Sequence, residues 1–216
     1  MKKDLKPIWL YLSIYIGIEI LAGFIIGMVY TKDATMMVNK LSGLITFISY
    51  LTIVIVFAII YHKSLIEKIK KLTKKDIIYT VVVAVILIIL NEIMSRILIS
   101  ANVEMQNQDA IIEAYKNSKI LMSISIVLFA PFIEEMVFRY SFSTFIKNDT
   151  LFIIISSLVF GLLHGIGIVT ILYVMLGALL ALIYLKTNKN VIASTIAHIL
   201  NNGFAIITML IMLKWQ

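Results

Sequence analysis

Charged and amide side chains fall in three short stretches of the C-terminal half of the chain. These are Phe129-Ala-Pro-Phe-Ile-Glu-Glu-Met-Val-Phe-Arg139, Phe160-Gly-Leu-Leu-His164 and His198-Ile-Leu-Asn-Asn202. Each stretch lies inside an apolar run, where an unpaired charge costs several kcal/mol, so its polar residues are functional candidates by default. A glutamate with a histidine can hold and deprotonate a water, and a second histidine with an asparagine can donate hydrogen bonds to the oxyanion of a tetrahedral intermediate. Such a set, Glu134, His164, His198 and Asn202, makes a hydrolase without a metal, and this is the preferred reading. The competing arrangement holds zinc between Glu134, His164 and His198, with an open position for water. Asn202 favours the first, because a carboxamide is a poor zinc ligand and a good oxyanion donor. The sequence has no His-Glu-x-x-His segment, and it has no cysteine. Thiolate nucleophiles, disulfides and Cys-ligated zinc are therefore excluded.

Helix geometry separates the two adjacent carboxylates. On an ideal helix Arg139 lies about 40° round from Glu135 but about 140° from Glu134. Glu135 is then the ion-pair partner, and Glu134 faces away without a cation on its own helix, as a general base would. A wholly structural three-charge cluster is the alternative. Pro131 has no N–H and clashes with the preceding turn, so it is expected to kink the helix and free a carbonyl near the carboxylates. His198 and Asn202 are four apart and share a face, whereas Asn201 points about 100° away from Asn202 and is the weaker candidate. Taken alone, His164 would read as a packing residue. Elsewhere, Glu92 and Arg96 can neutralise each other one turn apart. Glu19 in the first apolar run has no assigned role.

The elements that position these residues are membrane helices. Of the 216 residues 61% are hydrophobic and 14% charged, and the mean hydropathy is +1.02, whereas soluble domains carry about 45–50% apolar and 25% charged residues. Apolar runs bounded by polar residues cover 8 to 30, 41 to 61, 77 to 100, 119 to 146, 151 to 166, 168 to 185 and 190 to 213. The fold class is therefore all-α: one polytopic transmembrane bundle of about seven spans, within a range of six to eight, with the site on the C-terminal helices. The first run is read as a retained helix, since it is longer than a signal-peptide core and shows no small-residue cleavage site. The formal net charge of +7 comes from lysines in the segments between runs, where they set orientation and do not signal nucleic acid. Lys2, Lys3, Lys6, the cluster from Lys63 to Lys75, Lys147, Lys186 and Lys189 fall on one side, which is expected to be cytoplasmic, with the N-terminus inside and the C-terminus outside. On that topology Glu134, His164 and Asn202 lie about 18 to 20 Å from the cytoplasmic face and His198 about 12 Å. Four polar groups on three helices thus meet near mid-membrane. The polar connector 101–118 contains a short amphipathic stretch, Ala110 to Tyr115, expected to link helices and not to act as a lid.

The motifs Glu134-Glu135-x-x-x-Arg139, Phe160-x-x-x-His164 and His198-x-x-x-Asn202, in this order on successive apolar helices, resemble the CPBP family. That family contains the type II CAAX prenyl proteases and bacteriocin-processing or Abi-type membrane proteins. The resemblance covers about 119–213, so the chain is expected to be a single membrane domain, 1–216. Its N-terminal helices and loop, 1–118, have no assigned role, and 119–213 is the protease-like core. The resemblance implies an intramembrane endopeptidase, long described as a metalloprotease and more recently as glutamate-dependent. By it, Glu134 and His164 activate water, His198 and Asn202 form the oxyanion site, and Glu135, Arg139 and Phe160 support the cluster. No cofactor is preferred, with zinc as the alternative. The expected partners are the lipid bilayer and a peptide or membrane-protein substrate, linked to bacteriocin immunity or peptide maturation and not to prenylated proteins. The small size and the richness in Ile, Lys and Asn suggest a bacterial cell membrane. Two other classes remain open: a non-catalytic membrane immunity or scaffold protein, and a small proton-coupled transporter. No inverted repeat favours the transporter, and no Gly-x-Ser-x-Gly or Gly-Asp segment points to another intramembrane protease.

Overall fold

The seven apolar runs become seven helices. The computed structural model describes residues 4–101 and 114–214, with side chains as far as 211. In chain order the helices of these runs are α1 (Lys6–Val29), α2 (Ala34–Lys70), α3 (Lys74–Ser100), α4 (Lys119–Phe145), α5 (Asp149–His164), α6 (Ile168–Lys186) and α7 (Val191–Lys214), and residues 114–117 are helical as well. No strand occurs among the described residues. All but α5 are long and apolar enough to cross a membrane, so the protein is a multi-pass membrane protein. Of the amphipathic stretch Ala110 to Tyr115, residues 110–113 lie outside the described residues. Ala114 and Tyr115 are buried against Met122 and Ile206.

In lipid every backbone polar group must be satisfied within the chain, and the helix starts show how this is done. Thr73 and Asp76 form a reciprocal capping box at the start of α3. Asn148 accepts from the Leu151 N–H at 2.9 Å to open α5. Asn190 accepts from the Ile192 N–H at 3.1 Å to open α7. Helix α2 runs well beyond the apolar stretch 41 to 61 at both ends. Its basic extension stays helical because its tip is tied to the α6–α7 turn: Lys68 Nζ donates to the Lys189 carbonyl at 2.6 Å, and Asn190 donates to the Lys68 carbonyl at 2.8 Å. That turn needs the clamp, since Asn188 and Lys189 both hold positive φ, at 57° and 55°, where non-glycine residues are uncommon.

The same end gathers the chain start. The Asp4 N–H donates to Thr144 Oγ1 at 2.9 Å, and Tyr61 donates to the Asp4 carboxylate at 3.2 Å. Lys189 pairs with Asp149 at 3.3 Å. The lysine-rich segments therefore share one end of the bundle.

Burial rises along the chain. Only 6% of the most apolar window of α1 is buried, against 44% of that of α6. Helix α1 is thus peripheral, and side chains such as Trp9, Ile20, Phe24 and Met28 face outward, as suits a lipid-facing helix. One core joins α3, α6 and α7 through Leu87, Leu98, Leu180, Ile183 and Ala197. A second joins α2, α4, α5 and α6 through Ile53, Phe57, Met136, Phe152 and Tyr184.

Helices α5 and α6 form the tightest hairpin. At Gly161 an added Cβ would come within 2.5 Å of Val174 Cγ2 and 2.9 Å of the Thr170 carbonyl, so only glycine permits this approach. With 16 residues, α5 spans about 24 Å at 1.5 Å per residue, short of the roughly 30 Å hydrocarbon thickness. His164 therefore ends a helix at membrane depth. The turn that follows keeps its backbone satisfied through Thr170, whose hydroxyl donates to the Gly165 carbonyl at 2.6 Å. Gly167 supplies the positive φ, 102°.

Candidate active site

Helix α4 carries both carboxylates and departs from α-helical geometry on either side of them. Residues Ser125–Phe129 and Met136–Ser141 form π turns flanking the α-helical piece Ala130–Glu135. In the first, the Ala130 N–H reaches back five residues to the Ser125 carbonyl. The next donor in that ladder would be residue 131, which is proline and has none. The Ile126 carbonyl is instead taken by Asn202, whose Nδ2 donates to it at 3.0 Å. The freed carbonyl expected from Pro131 thus exists, and a residue from the third motif occupies it.

The two glutamates face different surroundings. Glu135 and Arg139 are both fully buried, with Arg139 Nε 3.3 Å from Glu135 Oε2. His198 Nδ1 approaches Glu135 Oε1 at 3.2 Å. The guanidinium carbon of Arg139 stands 5.4 Å from the centre of the Phe160 ring, a cation–π contact. Glu134 is 22% exposed, and its Oε2 lies 3.8 Å from His164 Nε2 and 3.7 Å from His198 Nε2.

The remaining ring nitrogens fix how the imidazoles are used. His164 Nδ1 is 2.7 Å from the Phe160 carbonyl, and a carbonyl only accepts, so Nδ1 donates. By the same reasoning His198 Nδ1 donates to the Glu135 carboxylate. Both rings therefore turn Nε2 toward Glu134. The separations of 3.7 and 3.8 Å exceed a direct hydrogen bond and suit a bridging water.

Phe160 holds the group together. Its ring packs on His164 at a centroid distance of 4.2 Å and meets His198 edge-on at 5.9 Å. Tyr173 also stacks on His164, at 4.6 Å. The His164 imidazole is thus held by two aromatic rings, from α5 and α6. Nothing in the sequence marks Tyr173, because one aromatic residue in an apolar helix is ordinary.

Structure brings together Glu134, Glu135, Arg139, Phe160, His164 and His198. Asn202 joins through the Ile126 carbonyl. Asn201 has a place as well: its Nδ2 donates to Asn202 Oδ1 at 3.2 Å, and its own Oδ1 accepts from Asn91 Nδ2 at 3.2 Å. Glu92 and Arg96 pair with each other at 2.8 Å, away from the cluster, with the Arg96 side chain 71% exposed.

The zinc alternative would require the groups around Glu134, now 3.7 and 3.8 Å apart, to close up slightly. Ligands at the zinc distances of about 2.0–2.1 Å would stand closer together than the nitrogen and oxygen atoms around Glu134. Among the described residues no three His, Cys, Asp or Glu side chains form a group able to hold a metal ion.

Comparison with known proteins bears on the same part of the chain. Residues 116–204 match the family model described as type II CAAX prenyl endopeptidase, Rce1-like. Glu134, His164, His198 and Asn202 all lie within it. This segment is thus similar to the Rce1-like family and contains all three motifs, which is consistent with the CPBP resemblance. An uncharacterized protein of Mycoplasma capricolum subsp. capricolum is 32% identical over 127 residues, covering 52% of this chain and 38% of that protein. The chain therefore spans well under half the length of that relative. No solved structure matches the chain.

Proposed function

We propose that this protein is an intramembrane endopeptidase that hydrolyses a peptide or membrane-protein substrate with a water held between Glu134, His164 and His198. The observation that carries the proposal is the convergence of two imidazole Nε2 atoms on Glu134 Oε2, at 3.8 and 3.7 Å, each ring anchored by its other nitrogen. A partly exposed carboxylate with two immobilised imidazoles opposite it can orient a water and accept its proton.

In the first step Glu134, assisted by His164, takes a proton from water as the oxygen attacks the scissile carbonyl carbon. The resulting oxyanion is met by the second N–H of Asn202 and by His198, which donates from Nε2 when doubly protonated, with the Glu135 carboxylate at its Nδ1 supplying counter-charge. The C–N bond then breaks, and the proton held at Glu134 passes to the departing amine. Glu135 and Arg139 keep His198 in place and do not touch substrate.

The lysine-rich end, by the positive-inside rule, faces the cytoplasm, with the N-terminus on that side. The composition and the mycoplasmal relative support a bacterial cell membrane as its home. A role in bacteriocin immunity or peptide maturation fits a small bacterial protein better than processing of prenylated proteins.

Detergent-purified protein, presented with a fluorogenic peptide library, tests this. Wild type is expected to cut, while Glu134→Gln and His164→Ala do not, and a chelator leaves the wild-type rate unchanged. Equal behaviour of all three proteins would overturn the hydrolase reading. Chelator-sensitive cleavage restored by zinc would return the site to the metal arrangement.

A further inference from the structure

Beyond the four candidate residues, the site contains a continuous row of side-chain amides. Ser95 Oγ donates to Asn91 Oδ1 at 3.4 Å, and Asn91 Nδ2 donates to Asn201 Oδ1 at 3.2 Å. Asn201 Nδ2 donates to Asn202 Oδ1 at 3.2 Å, and Asn202 Nδ2 donates to the Ile126 carbonyl at 3.0 Å. The row crosses from α3 through α7 to α4. Asn201 at its centre is only 4% exposed.

Its direction is dictated from one end. A carbonyl oxygen accepts and never donates, so Asn202 must present Nδ2 to Ile126. Its Oδ1 then has to accept, which obliges Asn201 to donate, and the same logic passes to Asn91. An amide in lipid with an unmet donor or acceptor would turn to find another partner, and the row removes that freedom. One Nδ2–H of Asn202 is used on Ile126, which leaves the second N–H in a fixed orientation.

We infer that Asn91 and Asn201 are positioning residues that hold the Asn202 amide, through a one-way chain ending at the carbonyl freed by Pro131, in the orientation needed to stabilise an oxyanion. This role rests on the hydrolase reading above. It also gives α3, whose sequence matches no catalytic motif, a direct part in the site.

The test is a kinetic cycle on the fastest-cut member of the peptide library. Asn202→Ala is expected to lower kcat about 100-fold, as loss of one oxyanion donor does. Asn91→Leu and Asn201→Leu should each lower kcat about tenfold, with KM changed by less than about twofold, the pattern of misorientation in the transition state. Asn91→Gln, which keeps an amide donor, should recover most of the loss. Adding Asn91→Leu to Asn202→Ala should cost nothing further, because Asn91 acts through Asn202.

Wild-type kcat in both leucine variants, while Glu134→Gln is inactive, overturns this inference and leaves the hydrolase reading intact. A full additional loss in the double variant, or a kcat loss that follows a fall in Tm and is not recovered by Asn91→Gln, overturns it too. A wild type that cuts nothing overturns the hydrolase reading, and this role with it.

Discussion

Two faces of α4, one residue apart, carry the same carboxylate and use it differently. On the Glu135 face the group is fully buried and meets Arg139 and His198. On the Glu134 face the group is 22% exposed, and among the described residues its Oε2 has no hydrogen-bond partner, only two imidazole nitrogens beyond direct reach. The first arrangement neutralises a charge within the protein and orients a histidine. The second keeps an acceptor available to something that enters. What separates them is not residue type but what stands opposite: an arginine one turn on along the same helix, or the ends of side chains from two other helices.

Substitution to glutamine should separate the two faces most sharply. Glu134→Gln is expected to abolish cleavage, by about 10²–10⁴-fold as for loss of a general base, while thermal unfolding in detergent stays close to wild type. Glu135→Gln should remove activity as well, but with a cost to the fold of about 3–5 kcal/mol, because it leaves Arg139 buried without its counter-charge. Chemical or thermal unfolding in detergent measures that difference. Equal stability losses in the two variants would mean that the faces are not distinct. Replacing Glu135 and Arg139 together by methionine and leucine should recover most of the stability, since a buried pair contributes little beyond its own desolvation. Activity should remain lost, because His198 Nδ1 would have no carboxylate to hold it.

Much of this contrast can be read from the sequence. The i,i+4 spacing selects Glu135 for Arg139, and that is the pair observed. The apolar runs locate helices α1 to α7, since length and hydropathy are local properties. The π turns are not legible, because whether a helix takes an i−4 or an i−5 bond depends on what packs against it. The sequence also ranks Asn201 behind Asn202, because the two point about 100° apart on the helix. Asn201 does point away from the His198 face, but toward α3, and no local pattern says that α3 and Asn91 lie there. Likewise the reach of α2 past its apolar stretch depends on contacts with residues 188–190, more than a hundred positions away.

The open face can also be disturbed from behind. Gly161 lets α5 lie against α6 closely enough that an added Cβ would meet the Thr170 carbonyl and Val174 N at 2.9 Å. Backbone atoms there cannot step aside, so Gly161→Ala should push the helices apart. The expected cost is about 1–3 kcal/mol, the usual range for overpacking. The shift should also move Tyr173 relative to His164 and lower kcat more than it raises KM. Steady-state kinetics with unfolding in detergent would show both effects, whereas an unchanged Tm would mean that the hairpin is looser than its geometry indicates.

The smallest expected effect isolates what Tyr173 contributes. Its ring lies nearly parallel to His164, with 28° between planes and 4.6 Å between centroids, so the contact is made by the ring face. Tyr173→Phe keeps that face and should change kcat by less than about twofold, whereas Tyr173→Leu removes an aromatic contact worth about 0.5–1.5 kcal/mol and frees the imidazole to turn. If His164 assists Glu134 from a fixed Nε2, only the leucine variant should lose activity, by up to about tenfold, with KM nearly constant. A tenfold loss in the phenylalanine variant would instead assign the work to the hydroxyl. The open face would then contain a third polar group, and its difference from the Glu135 face would lie in proton transfer as well as in access.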